Sequence, residues 1–424
     1  MYPAKMDLDA SVFLQLANFA LDTRRKDHFH LDYSTLFQPE DAYEQRYTWR
    51  DEAEDPLEES IETAYRTTLR TAIARLNLLG YSYHQIRDIY EESRLERDRN
   101  PSPHLHTPPN PPFDFLAESL RTIDIAGIPP DEPKAQRVGA LADAANHVLS
   151  MVEPNCAAAE RDRMRAWFGL ILLGLDPFTV LQVLAQEPVN LDLPVTWHPY
   201  AEDFWEFPLP EDFEIGLTHQ DRYLIVTEGS SDSAVIKKAL SLFRPEISDF
   251  FDFIDMAENY PLTGVGNLHN FYQGLLKIGI LNNVLFIYDN DTEGTAKFTA
   301  AAQLASPPNI RTMKLPNLPV FEQFATIGPT GEQPADINGK AVSIECFLDF
   351  HWREQRPPRV RWTGYHRGSD QYQGELEGKQ EYLREFLALD AANVDIYDTS
   401  KLEVLLDNIT IECARIGDAR VNED

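Results

Sequence analysis

Two groups of acidic residues punctuate the second half of the chain, and each follows a short apolar run. Tyr223-Leu224-Ile225-Val226-Thr227 leads into Glu228-Gly229-Ser230-Ser231-Asp232. Val284-Leu285-Phe286-Ile287-Tyr288 leads into Asp289-Asn290-Asp291-Thr292-Glu293-Gly294. Carboxylates gathered without a basic residue among them repel one another unless a hard divalent cation joins them. Mg²⁺ suits such a set, because it takes carboxylate oxygens and usually keeps waters and phosphate oxygens as its other ligands. Mn²⁺ accepts the same donors. In a two-metal site the ions lie about 4 Å apart, one acidifying a water and the other steadying the leaving oxygen of a phosphodiester. A divalent-metal site able to take phosphate oxygens is therefore the first expectation.

The elements that must carry these acids are readable from the pattern. Both apolar runs are rich in β-branched and aromatic residues and precede helical periodicity, as buried parallel strands do. Ligands of open α/β sheets bind beyond the carboxyl ends of such strands, where both acidic groups would lie. Strands are expected at 223–227, 250–256, 284–288 and 310–315, with helices through Val235 and Leu240, around 268–278 and around 294–304. That alternation predicts a mostly parallel sheet. Gly264-Val265-Gly266-Asn267 reads as a tight turn before a helix, with a phosphate cradle as the alternative.

Upstream, Ile61, Tyr65, Leu69, Ile73, Leu76 and Leu79 recur at three- and four-residue steps, predicting an amphipathic helix over 58–79 and a partner over 83–97. Residues 99–133 are dense in proline and read as a linker or an extended wrap. Helical periodicity resumes over 135–151 and 157–186, before a loop rich in Pro, Trp and Phe at 188–213. The expected fold class is α/β: a mostly parallel sheet flanked by helices in the C-terminal half, preceded by a mainly helical N-terminal region.

A chain of 424 residues suits about two to three domains. No run approaches the roughly 20 apolar residues of a membrane span, and the start of the chain, with Lys5, Asp7 and Asp9, lacks a signal-peptide core. Cys156, Cys346 and Cys413 are scattered, which fits a reducing cytoplasm and cannot supply a four-ligand zinc site. A cytoplasmic protein without a membrane anchor is expected. The net charge of −31 opposes phosphate binding, so phosphate chemistry would need metal ions, a local basic patch or a partner subunit.

Asp289-x-Asp291-x-Glu293-Gly294 after a buried strand, with Glu228-Gly229 at an earlier strand end, resembles the Toprim domain, the metal-binding fold of topoisomerases, bacterial primases and OLD-family nucleases. The resemblance implies Glu228 as the acid–base or metal-proximal glutamate and Asp289 and Asp291 as Mg²⁺ ligands, with Glu293 assisting at the helix start. Asp232, four residues after Glu228, stands where OLD-type nucleases place a second acidic ligand. Ser343-Ile344-Glu345 resembles their later acidic pair, with Ser343 replacing the first acid, which leaves a complete second metal site in question. A lysine would offset charge on a cleaving phosphodiester; Lys379 is the first choice and Lys401 the second. The bland alternative for Asp232 and Glu345 is that they complement helix dipoles.

Longer segments carry a wider resemblance, to the HEPN/Toprim-associated proteins of bacteria. In the N-terminal part these are Ser34-Thr35-Leu36-Phe37-Gln38, Tyr65-Arg66-Thr67-Thr68 and Arg75-Leu76-Asn77-Leu78-Leu79-Gly80-Tyr81. In the C-terminal part they include Phe213-Glu214-Ile215-Gly216, Tyr260-Pro261-Leu262-Thr263-Gly264 and Ala335-Asp336-Ile337-Asn338-Gly339-Lys340. The implied organisation is an N-terminal HEPN/Toprim-associated domain over 1–98, a Pro-rich linker over 99–133, a helical continuation over 134–212, and a Toprim domain with a C-terminal extension over 218–424. The family is linked to bacterial conflict, including defence against phage, which would give the N-terminal region a protein partner or a phage trigger. HEPN ribonucleases use Arg-x4–6-His; Arg99 to His104 and Arg24 to His30 fit that spacing, but Pro101 and Pro103 break the helix such a site needs.

One basic island stands out in this acidic chain. Arg353, Arg356, Arg359, Arg361 and Arg367 are interleaved with Trp352, Trp362 and Tyr365, combining phosphate-binding guanidinium groups with faces on which unpaired bases stack. Ion pairs with neighbouring acids are the alternative. The leading expectation is a Mg²⁺- or Mn²⁺-dependent nuclease, with DNA ahead of RNA by analogy with OLD nucleases only. A non-catalytic sensor or scaffold is the second reading, and a primase or topoisomerase the third. Oligomeric state and trigger stay open.

Overall fold

The structure is a computed structural model that describes residues 11–24, 33–49, 58–99, 110–130, 133–153, 157–199, 215–254, 264–329, 331–352, 357–368, 370–390 and 393–421. The chain divides into two compact units: Met1–Asn77 with Tyr81–Gly216, and Leu78–Gly80 with Leu217–Asp424.

The N-terminal unit holds a five-stranded antiparallel sheet of β1 (Ser11–Leu16), β2 (Phe19–Arg24), β3 (Ala42–Trp49), β4 (Glu58–Thr68) and β5 (Pro194–Trp197), in the order β2-β1-β5-β4-β3. Its helices are α1 (Leu69–Leu79), α2 (Tyr83–Arg99), α3 (Phe113–Arg121), α4 (Pro133–Val152), α5 (Ala158–Leu173) and α6 (Pro177–Leu184). The expected helices are present and make the region mainly helical, with the five-stranded sheet as an element that the helical periodicity did not announce.

The helix expected over 58–79 begins only at Leu69. Ile61, Tyr65 and Leu69 are four apart, a spacing that puts residues on one face of a strand as readily as on one face of a helix. Ile61, Thr63, Thr67 and Thr68 then favour the strand. From Ile73 to Leu76 to Leu79 the steps are odd, which no one-faced strand allows, and there the helix forms. β5 lies in the stretch expected to be loop. It opens on Pro194, tolerated at a first strand position, yet it occupies the middle of the sheet, with Val195 and Trp197 buried and the Trp197 ring stacked on Phe37 at 5.8 Å. Within the Pro-rich stretch, α3 buries Phe113, Leu116 and Leu120, so that part is core rather than linker. Arg75 is wholly buried, its Nε donating to Thr35 O at 2.9 Å and a terminal nitrogen to Phe37 O at 3.4 Å.

The C-terminal unit is built on four parallel strands: β6 (Tyr223–Val226), β7 (Phe251–Phe253), β8 (Asn283–Tyr288) and, further along, β10 (Ile310–Lys314), in the order β10-β8-β6-β7. The helices α7 (Ser230–Phe243) and α8 (Val265–Ile278) link the first three. After β8 the two-residue β9 (Asn290–Asp291) leads into α9 (Thr292–Ala301). β8 is buried along its whole length, which is why it reads as an unbroken apolar run. Val226, Leu268, Tyr272, Val284, Phe286 and Ile310 form a core around it.

A second sheet follows, in the order β12-β11-β14-β15, from β11 (Phe324–Gly328), β12 (Gly331–Ala335), β14 (Val360–His366) and β15 (Gln371–Leu376). Between them β13 (Ala341–Val342) pairs with β9, Ala341 opposite Asp291 and Val342 opposite Asn290. The unit closes with α10 (Lys379–Leu387) and α11 (Ser400–Val421). Among the described residues no single helix is long and apolar enough to cross a membrane.

Candidate metal centre

β6 and β8 pair directly and in parallel, Val226 opposite Phe286, so the segments that follow them leave the same edge of the sheet. The two acidic groups meet there: Asp289 N donates to Glu228 Oε1 at 3.1 Å. Asp232 lies in the first turn of α7, where its Oδ2 accepts from Gly229 N at 3.0 Å and its Oδ1 from Ser231 Oγ at 3.3 Å. It caps a helix and belongs to the cluster, so its two readings do not compete.

Asp291 caps α9, its Oδ1 accepting from Gly294 N at 2.7 Å. The glycine of the motif is a packing requirement, because a Cβ on Gly294 would stand 2.3 Å from Asp289 O. Glu293 is exposed on the first turn of α9. The pairing of β13 with β9 delivers the next segment, Ser343 to Glu345. Glu345 is buried, and Ser343 Oγ donates to its Oε2 at 2.7 Å. Ser343 thus orients the acid beside it rather than adding one.

The electrostatics are those of crowded anions. Burial pushes the Glu228 carboxyl up to about 8, helped by the charges of Asp291, Asp232 and Glu293 and opposed by the hydrogen bond from Asp289 N. Burial and then Glu345 raise Asp232 to about 7. Asp289 is held well above the ordinary carboxylate range by burial and by Asp232, Glu228, Asp291 and Glu345.

Lys379 stands at the start of α10 and is ion-paired with Glu375 at 2.5 Å. Burial pulls its pKa down, but Glu375, Glu345 and Asp289 together raise it. Lys401 stands elsewhere, its Nζ over the Phe350 ring at 3.5 Å. Burial brings it down to about 8, and its ionisable neighbours are Cys346, Asp398 and Asp349.

The donor set is all carboxylate oxygen with an excess of negative charge, which fits a hard divalent ion by type and by charge. It is not closed around one: among the described residues no three His, Cys, Asp or Glu side chains already stand close enough to hold an ion. Side-chain rotation would have to complete the cage.

Sequence reasoning missed Gln373, whose Nε2 donates to Asp291 Oδ2 at 2.5 Å. It lies on a strand some way beyond every acidic motif, and no motif marks it.

The basic island is divided. Arg353 and Arg356 lie outside the described residues. Just before β14, Arg359 is ion-paired with Glu332 and with Glu377 at 2.9 Å, and on the strand Arg361 donates to Glu377 at 2.7 Å, so these two follow the ion-pair alternative. Arg367 is exposed. Trp352 packs against Tyr397 at 5.5 Å and Trp362 against Tyr372 at 6.2 Å, while Tyr365 and Tyr372 are half-exposed and in edge contact at 5.3 Å. His104 and His30, needed for the HEPN-type pairs, lie outside the described residues.

In the N-terminal unit, Arg75 joins two segments that carry the family resemblance, 34–38 and 75–81, through its bonds to Thr35 and Phe37. No curated protein and no solved structure matches the chain. Residues 10–199, which span the sheet and helices of the N-terminal unit, match the family model of the HEPN/Toprim N-terminal domain 1.

Proposed function

We propose that the C-terminal unit is a Toprim-type nuclease domain that hydrolyses nucleic-acid phosphodiesters with Mg²⁺ or Mn²⁺, in the service of anti-phage defence. The N-terminal match supports the coarser statement, a nuclease-related or defence-type role. The observation that carries the finer one is the convergence of Glu228, Asp232, Asp289 and Glu345 at the ends of β6 and β8, each acting electrostatically on Asp289 or on its neighbour.

Asp289, Asp291, Asp232 and Glu345 would hold the metal, which when bound acidifies a water and stabilises the leaving oxygen. Glu228, raised to about 8 in the metal-free protein, would be the group that delivers a proton to a departing oxygen. Lys379 stays charged and offsets the negative charge that builds on the phosphate. DNA is the proposed substrate, and the N-terminal unit the proposed receiver of a protein partner or phage trigger.

Incubation with labelled single- and double-stranded DNA and RNA in Mg²⁺, Mn²⁺ or EDTA tests this. Metal-dependent cleavage absent from Asp289→Ala/Asp291→Ala is expected. A sensor or scaffold is the second reading, favoured by the ion pairs that occupy Arg359 and Arg361. Metal-dependent binding of nucleic acid without turnover would select it.

A further inference from the structure

β15 gives the acidic cluster contacts that no acidic motif contains. The Gln373 carboxamide spans the start of α9, Nε2 donating to Asp291 Oδ2 at 2.5 Å and Oε1 accepting from Thr292 N at 2.9 Å. The carbonyl of Tyr372 accepts from Thr292 Oγ1 at 3.1 Å, so backbone and side chain grip the same turn. Two residues on, on the same face of the strand, Glu375 holds Lys379 at 2.5 Å.

Two local features let β15 reach so far. On β14, Trp362 pairs with Gly374 while Gly364 pairs with Gln373, leaving Thr363 as the extra residue of a bulge. Bulges bend a strand and re-aim its neighbours. Gly374 permits the close approach, since a Cβ there would stand 2.6 Å from Val360 Cγ1 and 3.0 Å from Ala341 Cβ.

We infer that Gln373 is a positioning residue for the Asp291 carboxylate. With only the cap to Gly294 N, the carboxylate could turn about its last bond and present either oxygen to the site. The bond from Gln373 removes that freedom and fixes which lone pairs stay available to a ligand. An amide suits the task because it donates to the anion without bringing a positive charge that would oppose a cation. This role rests on the metal reading proposed above.

Titration calorimetry of the full chain with Mn²⁺ tests it, using wild type, Asp289→Ala/Asp291→Ala, Gln373→Leu and Gln373→Asn. Affinity is expected to fall by about 10- to 100-fold in Gln373→Leu. The same loss is expected in Gln373→Asn, whose amide is one methylene too short. A purely structural Gln373 would instead lower the melting temperature in EDTA and leave Mn²⁺ affinity unchanged. Wild-type affinity in both variants, with binding lost in the double-aspartate protein, overturns the positioning role while leaving the metal centre standing. Absence of Mn²⁺ binding in the wild type removes the metal centre, and the positioning role with it. If Gln373→Leu loses its melting transition, Gln373→Asn alone decides.

Discussion

Arg75, wholly buried, and Asp289, partly buried, are ionisable side chains in different units, and they are treated differently. Arg75, in the N-terminal unit, is wholly enclosed, yet backbone carbonyls of Thr35 and Phe37 accept its hydrogens. Fixed dipoles answer the cation, and the charge is tied into the architecture. Asp289, in the C-terminal unit, faces Asp232, Glu228, Asp291 and Glu345, and its carboxyl is driven far up. There the surroundings add charge of the same sign. An answered charge serves the fold, whereas an unanswered one stores a demand for a proton, a cation or a ligand.

The largest expected effect sharpens that contrast at the acid most suited to giving up a proton. Glu228→Gln keeps the shape and the acceptor for Asp289 N, so the protein should fold while cleavage falls by about 10²- to 10⁴-fold. Circular dichroism beside the cleavage assay checks both halves; a soluble variant with wild-type rates would remove Glu228 from the chemistry. At the other pole, Arg75→Met leaves the carbonyls of Thr35 and Phe37 without their donor and should cost about 2–5 kcal/mol. Urea denaturation measures this, and a cost below about 1 kcal/mol would mean that the buried cation contributes little.

Acid and alkali should pull the two units in opposite directions. The folded carboxyls of Glu228 and Asp232, at about 8 and about 7, lie above their ordinary 4.5 and 3.8, and Asp289 is raised as well. Without metal the folded state therefore binds more protons, and this stabilisation, complete below about pH 4, is lost as pH rises towards 8. His198 is the reverse: burial and then Arg66 lower it from 6.5 to about 4, so its contribution is present above 6.5 and lost as pH falls to 4. Calorimetry in EDTA between pH 4 and 8 should show both limbs. Asp289→Asn should flatten the alkaline one and His198→Asn the acid one; limbs unmoved by these changes would break the comparison.

The smallest effect concerns the arginines already occupied. Arg361→Gln should weaken nucleic-acid binding less than about threefold and leave the salt dependence unchanged, because Glu377 neutralises the guanidinium. A drop of one in the slope of log affinity against log salt would show that Arg361 leaves Glu377 for a phosphate.

The parallel half of the fold was legible because its strands are short and its central strand is buried on both faces and followed by acids and a glycine, so 284–288 could hardly be anything else. The acids at their ends were legible for the same reason. What escaped is what depends on partners distant in sequence. β4 was hidden because steps of four satisfy two periodicities at once. β5 was hidden because a strand of four residues opening on Pro194 looks like loop until its neighbours are known. Gln373 was hidden because its role is set by a bulge and by Gly374, and nothing near it announces Asp291.

The short ladder between β9 and β13 also has a meaning in time. A chain growing from its amino end exposes Glu228, Asp232, Asp289 and Asp291 well before Glu345, Gln373 and Lys379 have been made. Until Ala341 and Val342 can lie against Asp291 and Asn290, the early acids have neither their last carboxylate nor their lysine. A truncated or half-synthesised copy thus carries the recognisable motif without the finished cluster.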